Sequence, residues 1–293
     1  MVVGILSINE NGYVRNMIIY HNDDLDGITA AAIIYNEFKT GVYIPVNYGD
    51  MWNPEDVKDA VVYVVDFSFP DMYALKNACH TLVWVDHHKS AMDNQPAAWN
   101  DTSIEGNRSL EYSGCELTWM YFYDDPMPGI VKYVGDRDMW KFALEDTIPV
   151  AEAANYELTS YNSLMWRRLF NPKFANHQIE ILKERGNVLL QAKNLRIEKA
   201  YKSGKDIHFN GLKTRIVNAS ADISEIGERI YTSGYDLAIV WRIVDDKAVV
   251  SFRSAANSNV LVNTIAQQFG GGGHPHAAGA TLSIDKIMEL YNV

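Results

Sequence analysis

Four clusters of acids and imidazoles hold the side chains best suited to chemistry. His21-Asn22-Asp23-Asp24-Leu25-Asp26-Gly27 is the first, Asp66 stands alone as the second, Asp86-His87-His88 is the third, and Gly135-Asp136-Arg137-Asp138-Met139-Trp140 is the fourth. The candidate ligands are His21, Asp24 and Asp26, then Asp66, then His87 with His88 or Asp86, and then Asp136. Carboxylates gathered in an apolar setting repel one another and are costly to bury, and divalent cations remove that cost. Mixed carboxylate and imidazole donors without thiolates suit Mn²⁺, Mg²⁺, Fe²⁺ or Zn²⁺, and four or more carboxylates exceed what one ion needs. Two ions roughly 3.5 to 4 Å apart, sharing a carboxylate and a water, form the arrangement that hydrolyses phosphate esters. Asp66, alone between the first and third clusters, is the natural bridge.

The elements that must position these groups follow from the hydrophobic pattern. Val14 to Tyr20 favours a strand and leads into the first cluster, and Ile28 to Phe38 is apolar almost all round, as in a buried helix. Val42 to Tyr48 reads as a further strand, which Pro45 confines to an edge because it cannot donate to a ladder. Val61 to Val65 and Leu82 to Val85 are continuous apolar runs that close on Asp66 and on Asp86-His87-His88, as strands covered on both faces do. A helix is expected from Asp71 to Cys79, between those two runs. The result is a βαβ pattern, hence an α/β fold with a parallel sheet, in which ligands bind beyond the carboxyl ends of the strands. The clusters therefore converge by topology. Residues 89 to 112 read as a loop, and Ser113-Gly114-Cys115-Glu116 has the form of a capping box opening a helix to about Tyr123.

Beyond residue 150 the pattern is helical, with a long segment from Ala175 to Ser203 that Gly186 interrupts. From Lys205 strands and helices alternate: Lys213 to Asn218, a helix from Ile223 to Thr232, Leu237 to Val244, Ala248 to Phe252, a helix from Val260 to Phe269, and a turn at Gly270 to Gly273. The expected organisation is a catalytic parallel-sheet domain over 1–150, a helical connection over 151–204, and a smaller mixed-sheet α/β domain over 205–293.

Composition narrows the function classes. The chain has 293 residues, 47% apolar and 22% charged, which excludes disorder, collagen-like repeats and coiled coil as the main architecture. With 26 Lys and Arg against 37 Asp and Glu, the net charge of −11 excludes a general duplex-binding surface, so an anionic substrate needs local positive charge or metal. No apolar run has the ~18 to 20 residues of a membrane span, and MVVGILSINENGYVRN lacks the basic and apolar regions of a signal peptide, so a cytoplasmic location is the expectation. Cys79 and Cys115 are too few for a disulfide framework and lack CxxC spacing. His80, His177 and His208 have no acidic company at strand ends, and Trp119, Trp166 and Trp241 read as core, while Trp140 could line a cleft.

Taken together, HNDDLDG after the first strand, Asp66, Asp86-His87-His88 and GDRDMW resemble the DHH phosphoesterase superfamily. Gly270 to Gly279, GGGGHPHAAG, is similar to the GGGHxxAAG signature of that family's associated C-terminal domain, and Arg253-Ser254 fits its Arg-Ser pair. The resemblance spans nearly the whole chain with the motifs in order. It implies a hydrolase with two divalent ions, Mn²⁺ foremost and Mg²⁺ an alternative. His21, Asp24 and Asp66 would hold one ion, and Asp26, Asp66, His87 and Asp136 the other. A hydroxide between the ions would attack phosphorus, with His88 near the phosphate and Asp86 orienting an imidazole. Arg253, Ser254, Gly271, Gly272, Gly273 and His274 would bind the rest of the substrate, in a cleft between the domains. The first motif departs in spacing, so Asp23 rivals Asp24; Asp24 is favoured because the pair Asp24 and Asp26 immediately before Gly27 matches the more constant part of the motif. Asp138 similarly rivals Asp136.

The Arg-Ser pair with GGGHxxAAG resembles the nanoRNase and exonuclease branch, and the chain has no residues left for further nucleic-acid-binding domains. Short oligonucleotides or dinucleotides are the expected substrates, with no long duplex and no membrane, and a homodimer stays open. A pyrophosphatase, polyphosphatase or phosphoadenosine phosphate phosphatase is the alternative enzyme. A nucleotide-binding regulatory module with a decayed centre is the alternative of another class, disfavoured because the acids and histidines are intact.

Overall fold

The computed structural model describes residues 15–292. Val14, where the first strand is expected to begin, and the stretch read for a signal peptide up to that residue lie outside them. The chain divides into two compact units, the first ending at Leu189 and the second beginning at Leu190.

The first unit runs β1 (Arg15–His21), α1 (Leu25–Phe38), β2 (Val42–Val46), α2 (Pro54–Val57), β3 (Ala60–Val65), α3 (Met72–Ala78), β4 (Thr81–Val85), α4 (Lys89–Asn94), α5 (Pro96–Trp99), α6 (Gly114–Phe122), α7 (Gly129–Asp138), α8 (Thr147–Glu157), α9 (Leu164–Leu169) and into α10 (Ala175–Ser203). Its sheet has the order β2-β1-β3-β4 with every neighbouring pair parallel. Pro45 lies on β2, which is the edge strand, where its missing N–H costs no ladder bond. Successive strand residues point to opposite faces, so the apolar runs bury both. Ile18, Tyr20, Val61, Tyr63, Val83 and Val85 join a core with α1, α6 and α7, while Met17, Ile19, Val62, Val64, Leu82 and Trp84 join another with Phe67, Phe69 and Met72.

The capping box is present in full, Ser113 accepting from the Glu116 N–H and the Glu116 carboxylate from the Ser113 N–H. The stretch 89–112 is not the plain loop expected. It holds α4 and α5, and Arg108 stitches the segment beyond them by donating to the carbonyls of Trp84, Trp99, Asp101, Ile104 and Glu105. In the stretch expected as a helical connection, α8, α9 and the first half of α10 belong to the first unit, and α10 continues into the second. Gly186 does not interrupt α10. A Cβ there would fall 1.8 Å from the Pro149 carbonyl oxygen, so glycine is what lets α10 lie against α8.

The second unit continues α10 and adds β5 (Lys205–Phe209), β6 (Leu212–Asn218), α11 (Ile223–Tyr231), β7 (Leu237–Val244), β8 (Lys247–Arg253), α12 (Val262–Gln267), β9 (Gly272–His274), β10 (Ala277–Ser283) and α13 (Ile284–Asn292). Its sheet has the order β5-β6-β7-β8-β10-β9 and is mixed, with β6 and β7 parallel and the other pairs antiparallel. One face packs α12 and α13 and the other α10 and α11. The glycine run is a turn only in part, because Gly272 to His274 pair with β10 as an edge strand. Trp119, Trp166 and Trp241 are buried and Trp140 is 68% exposed. Among the described residues no helix is long and apolar enough to cross a membrane.

Candidate metal centre

Three neighbouring strands deliver the site. β1 ends at His21, β3 is followed by Asp66, and β4 is followed by Asp86, His87 and His88, all at the carboxyl edge of the sheet. The turn after β1 opens α1, whose N-cap Asp24 accepts from the Gly27 N–H at 3.0 Å. Asp24 Oδ2 lies 3.0 Å and Asp66 Oδ2 3.6 Å from His21 Nδ1. On the other side, His87 Nε2 lies 3.1 Å from Asp66 Oδ1, 3.5 Å from Asp138 Oδ2 and 3.7 Å from Asp26 Oδ2. The two oxygens of Asp66 thus face two different sets of donors.

Asp66 is 1% exposed, sits at φ 55°, and neither carboxylate oxygen has a hydrogen-bond partner. Both ring nitrogens of His21 and Asp138 Oδ2 are equally without one. A buried polar atom left unsatisfied costs ~1 to 3 kcal/mol, and several of them converging call for a common partner. Burial, and then the charge of Asp26, push the Asp66 carboxyl well above its ordinary range. The carboxylates of Asp24 and Asp66 beside His21 raise its imidazole to about 10. The pair therefore retains a proton where isolated groups would have lost it, which is the condition a cation relieves by taking the proton's place. His21, Asp24 and Asp66 form one group whose ligand atoms lie within 4.8 Å of one another; Asp26, His87 and Asp138 form a second, and Asp66, His87 and His88 a third. These oxygen and nitrogen donors fit hard or borderline divalent ions.

The fourth cluster requires a correction. Asp136, read as the ligand, belongs to none of these groups, whereas Asp138 does. The Asp136 carboxylate accepts from the Ala143 N–H at 2.8 Å, the Leu144 N–H at 3.1 Å and the Thr147 hydroxyl. Burial raises its pKa but these donors outweigh it and hold the carboxyl below its ordinary value. Asp138 lacks such donors, and burial followed by the charge of Asp26 raises it to about 7. Of the other pair of rivals, Asp23 is exposed and outside the groups while Asp24 is inside.

Asp86 is fully buried and accepts from the backbone N–H groups of His87 and His88 at 2.8 and 3.1 Å. Its Oδ1 also lies 2.7 Å from His88 Nδ1, which fixes that ring and leaves Nε2 as its available nitrogen. Two supports escaped the sequence reading. The N-terminus of α6 grips Asp26 through the Ser113 hydroxyl and the N–H groups of Gly114 and Cys115, at 2.8, 2.7 and 3.0 Å. A Cβ on Gly114 would fall 2.6 Å from Asp66 Cβ, so only glycine lets α6 approach that carboxylate. The capping-box signal located this helix start, but nothing local linked it to Asp26.

In the second unit, Arg253 and His274 lie in register with Ala277 from its two sides, and Gly272, Gly273 and His274 are exposed. Arg253 Nη1 donates to the carbonyls of Phe252 and Ala278 at 3.0 and 3.3 Å. The Ser254 hydroxyl is buried and donates to the Val260 carbonyl at 2.7 Å, with His276 Nδ1 3.0 Å away, so it serves the fold. Gly271 donates its N–H to the Ala266 carbonyl.

The chain is similar to known proteins over most of its length. A protein of Acanthamoeba polyphaga mimivirus described as uncharacterized protein R106 is 28% identical over 295 residues, covering 92% of this chain and 68% of that one. A pGpG-specific phosphodiesterase, PggH from Vibrio cholerae, matches with a TM-score of 0.51 and 14% identity over 95% of this chain and 96% of its own. Exonuclease RecJ bound to manganese matches with a TM-score of 0.51 and 15% identity over 95% of this chain and 88% of its own. At such identities these structures establish a shared fold. The sequence profile of the DHH family, N-terminal domain, matches residues 16–136, which hold every strand-end cluster described above, and that of the DHHA1 domain matches residues 215–293. With both domains in order on one chain, the protein belongs to the DHH superfamily and is a phosphoesterase.

Proposed function

We propose that the protein is a phosphodiesterase that hydrolyses dinucleotides or short oligonucleotides with two divalent ions, Mn²⁺ foremost. The observation that carries this reading is Asp66, buried, unsatisfied, and turned toward His21 and Asp24 through one oxygen and toward His87 through the other. His21, Asp24 and Asp66 would hold one ion, and Asp26, Asp66, His87 and Asp138 the other. Bound there, such ions supply Lewis acidity and ionise water near neutrality. The chain's own residues supply the remainder. Ser113, Gly114 and Cys115 fix Asp26, so the carboxylate is oriented before substrate arrives. Asp86 holds His88 by Nδ1, so His88 Nε2 is the atom that binds a phosphate oxygen or delivers a proton to the leaving one. Arg253 and His274 would bind the part of the substrate remote from the cleaved phosphate, a role suited to a guanidinium fork.

A net charge of −11 disfavours long polyanionic strands and so supports a short substrate. The dinucleotide specificity stated for PggH and the nuclease activity stated for RecJ are in line with that class. The test is a product-resolved assay with Mn²⁺ against linear dinucleotides, cyclic dinucleotides, phosphoadenosine phosphate and pyrophosphate. Conversion of a linear dinucleotide to mononucleotides, stopped by chelator, is the expected result. Turnover of pyrophosphate or phosphoadenosine phosphate alone would assign the chain to another branch of the superfamily.

A further inference from the structure

Beside the acidic centre lies a cavity of about 200 Å³ within the first unit that none of the roles above uses. Tyr48 and Met51 give it exposed aromatic and apolar surface, and Phe67, its ring centroid 5.3 Å from that of Tyr48, lies buried beneath with Phe69. Ser90 and Asn94, from α4, bring hydrogen-bonding groups to its lining. The Tyr48 ring also meets the imidazoles of His21 and His88 edge-on, at 5.4 and 5.9 Å between centroids. Tyr48 thus borders both the cavity and the imidazoles of the acidic centre.

Tyr48 is held for display. It occupies the second position of the turn Asn47 to Asp50, which is closed by Asp50 N–H to the Asn47 carbonyl at 3.0 Å and by Asn47 N–H to the Asp50 carboxylate at 2.8 Å. Gly49 comes next at φ 104°, the left-handed position such a turn requires. Tyr48 is nonetheless 58% exposed and Met51 76% exposed, although both are large and largely apolar. A cavity of this size is below the ~300 Å³ at which whole drug-sized ligands are held, and suits a single flat ring system. An exposed tyrosine face, apolar side chains and the polar groups of Ser90 and Asn94 in one cavity near His88 match the chemistry of a nucleobase, which stacks by its faces and hydrogen-bonds at its edge.

We propose that the cavity bordered by Tyr48 and Met51 is a nucleobase subsite that seats the base of the nucleoside next to the cleaved phosphate. The assignment deepens the phosphodiesterase reading and rests on it for the position of the phosphate. Stacking tolerates every base, so the subsite selects nucleotides over base-free phosphates more than one base over another.

The test is calorimetric titration of the full chain, with Mn²⁺ present, by adenosine 5′-monophosphate and by ribose 5-phosphate. The parent should bind the nucleotide more tightly than the sugar phosphate. Tyr48→Ala should weaken nucleotide binding roughly ten-fold, the loss expected for one stacked base. Tyr48→Phe should keep the parent's affinity, Met51→Ala should lose part of it, and ribose 5-phosphate should bind all four proteins alike. Nucleotide affinity that is no better than that of ribose 5-phosphate in the parent, or unchanged in Tyr48→Ala, would overturn the subsite. Binding needs no turnover, so a parent that cleaves no dinucleotide yet shows this pattern would overturn the phosphodiesterase reading and leave the base subsite standing.

Discussion

Replacing Asp66 by Asn separates the ability to hold metal from any structural role of that carboxylate. Asp66 adopts φ 55°, a left-handed conformation that Asn tolerates about as readily as Asp and that Ala resists, so the amide is the fair substitution. The carboxylate is 1% exposed without a hydrogen bond, and an unsatisfied buried group of that kind costs ~1 to 3 kcal/mol. Because burial and Asp26 raise its folded pKa, its contribution to stability is fully present below the unfolded value and is lost as pH rises through the folded one. Asn cannot ionise and escapes that loss. Without metal, Asp66→Asn should therefore match the parent only below about pH 4, near the ordinary carboxyl value, and exceed it by ~1 to 3 kcal/mol at higher pH, about 2 to 12 °C in Tm for a domain of this size. Added Mn²⁺ should raise the Tm of the parent strongly and that of the variant little, and the variant should lack activity. Differential scanning calorimetry from about pH 4 to about pH 9, with chelator or with Mn²⁺, reads both effects against a hydrolysis assay. A variant several kcal/mol less stable than the parent without metal would make Asp66 a structural residue. One that kept the parent's activity and Mn²⁺-induced shift would remove the shared carboxylate from the account.

Asp138→Asn should lower metal content and activity with little change in Tm, whereas Asp136→Asn should first lower stability, by ~1.5 to 3 kcal/mol for each charge-assisted hydrogen bond lost to Ala143, Leu144 and Thr147; metal analysis and calorimetry on both variants separate them. His21, raised from 6.5 to about 10 by Asp24 and Asp66, stays protonated through neutrality in the metal-free protein, stabilises it below pH 6.5, and ceases to do so as pH climbs through about 10. Metal binding must displace that proton, so affinity should rise about ten-fold per pH unit for each proton released, and calorimetry in buffers of different ionisation enthalpy should count it; pH-independent binding would exclude His21 as a ligand. Arg253→Ala and His274→Ala should each cut kcat/KM on dinucleotides by roughly ten- to a hundred-fold and spare an artificial ester with one phosphate and a good leaving group, both metals staying bound. Equal losses on the two substrates would place these residues at the reacting phosphate instead.

β1, β3 and β4 are legible because strands buried on both faces demand unbroken apolar runs, and each of these runs ends on the acids and imidazoles that gather at one edge. Pro45 and the Ser113 capping box are legible for equally local reasons, a missing donor and a reciprocal pair of bonds. The choice between Asp136 and Asp138 is not local. Two positions apart on α7, these acids project about 200° apart around the helix axis, and which one meets the sheet edge depends on how Ile130, Val131 and Val134 pack into the core. Packing distant in sequence likewise decides that α6 is the helix that grips Asp26, that Gly114 and Gly186 are close approaches, and that Arg108 organises the segment before α6. Tyr48 carries no spacing signal, and only the closed turn at Asn47 to Asp50 brings it beside His21 and His88.

Anomalous diffraction from crystals grown with Mn²⁺ tests the central claim most directly. The account predicts two manganese peaks flanking the Asp66 carboxylate, one against His21 and Asp24 and the other against Asp26, His87 and Asp138, with Asp136 still bonded to the backbone of residues 143 and 144. A single peak, or peaks that leave Asp66 without a metal contact, would contradict it.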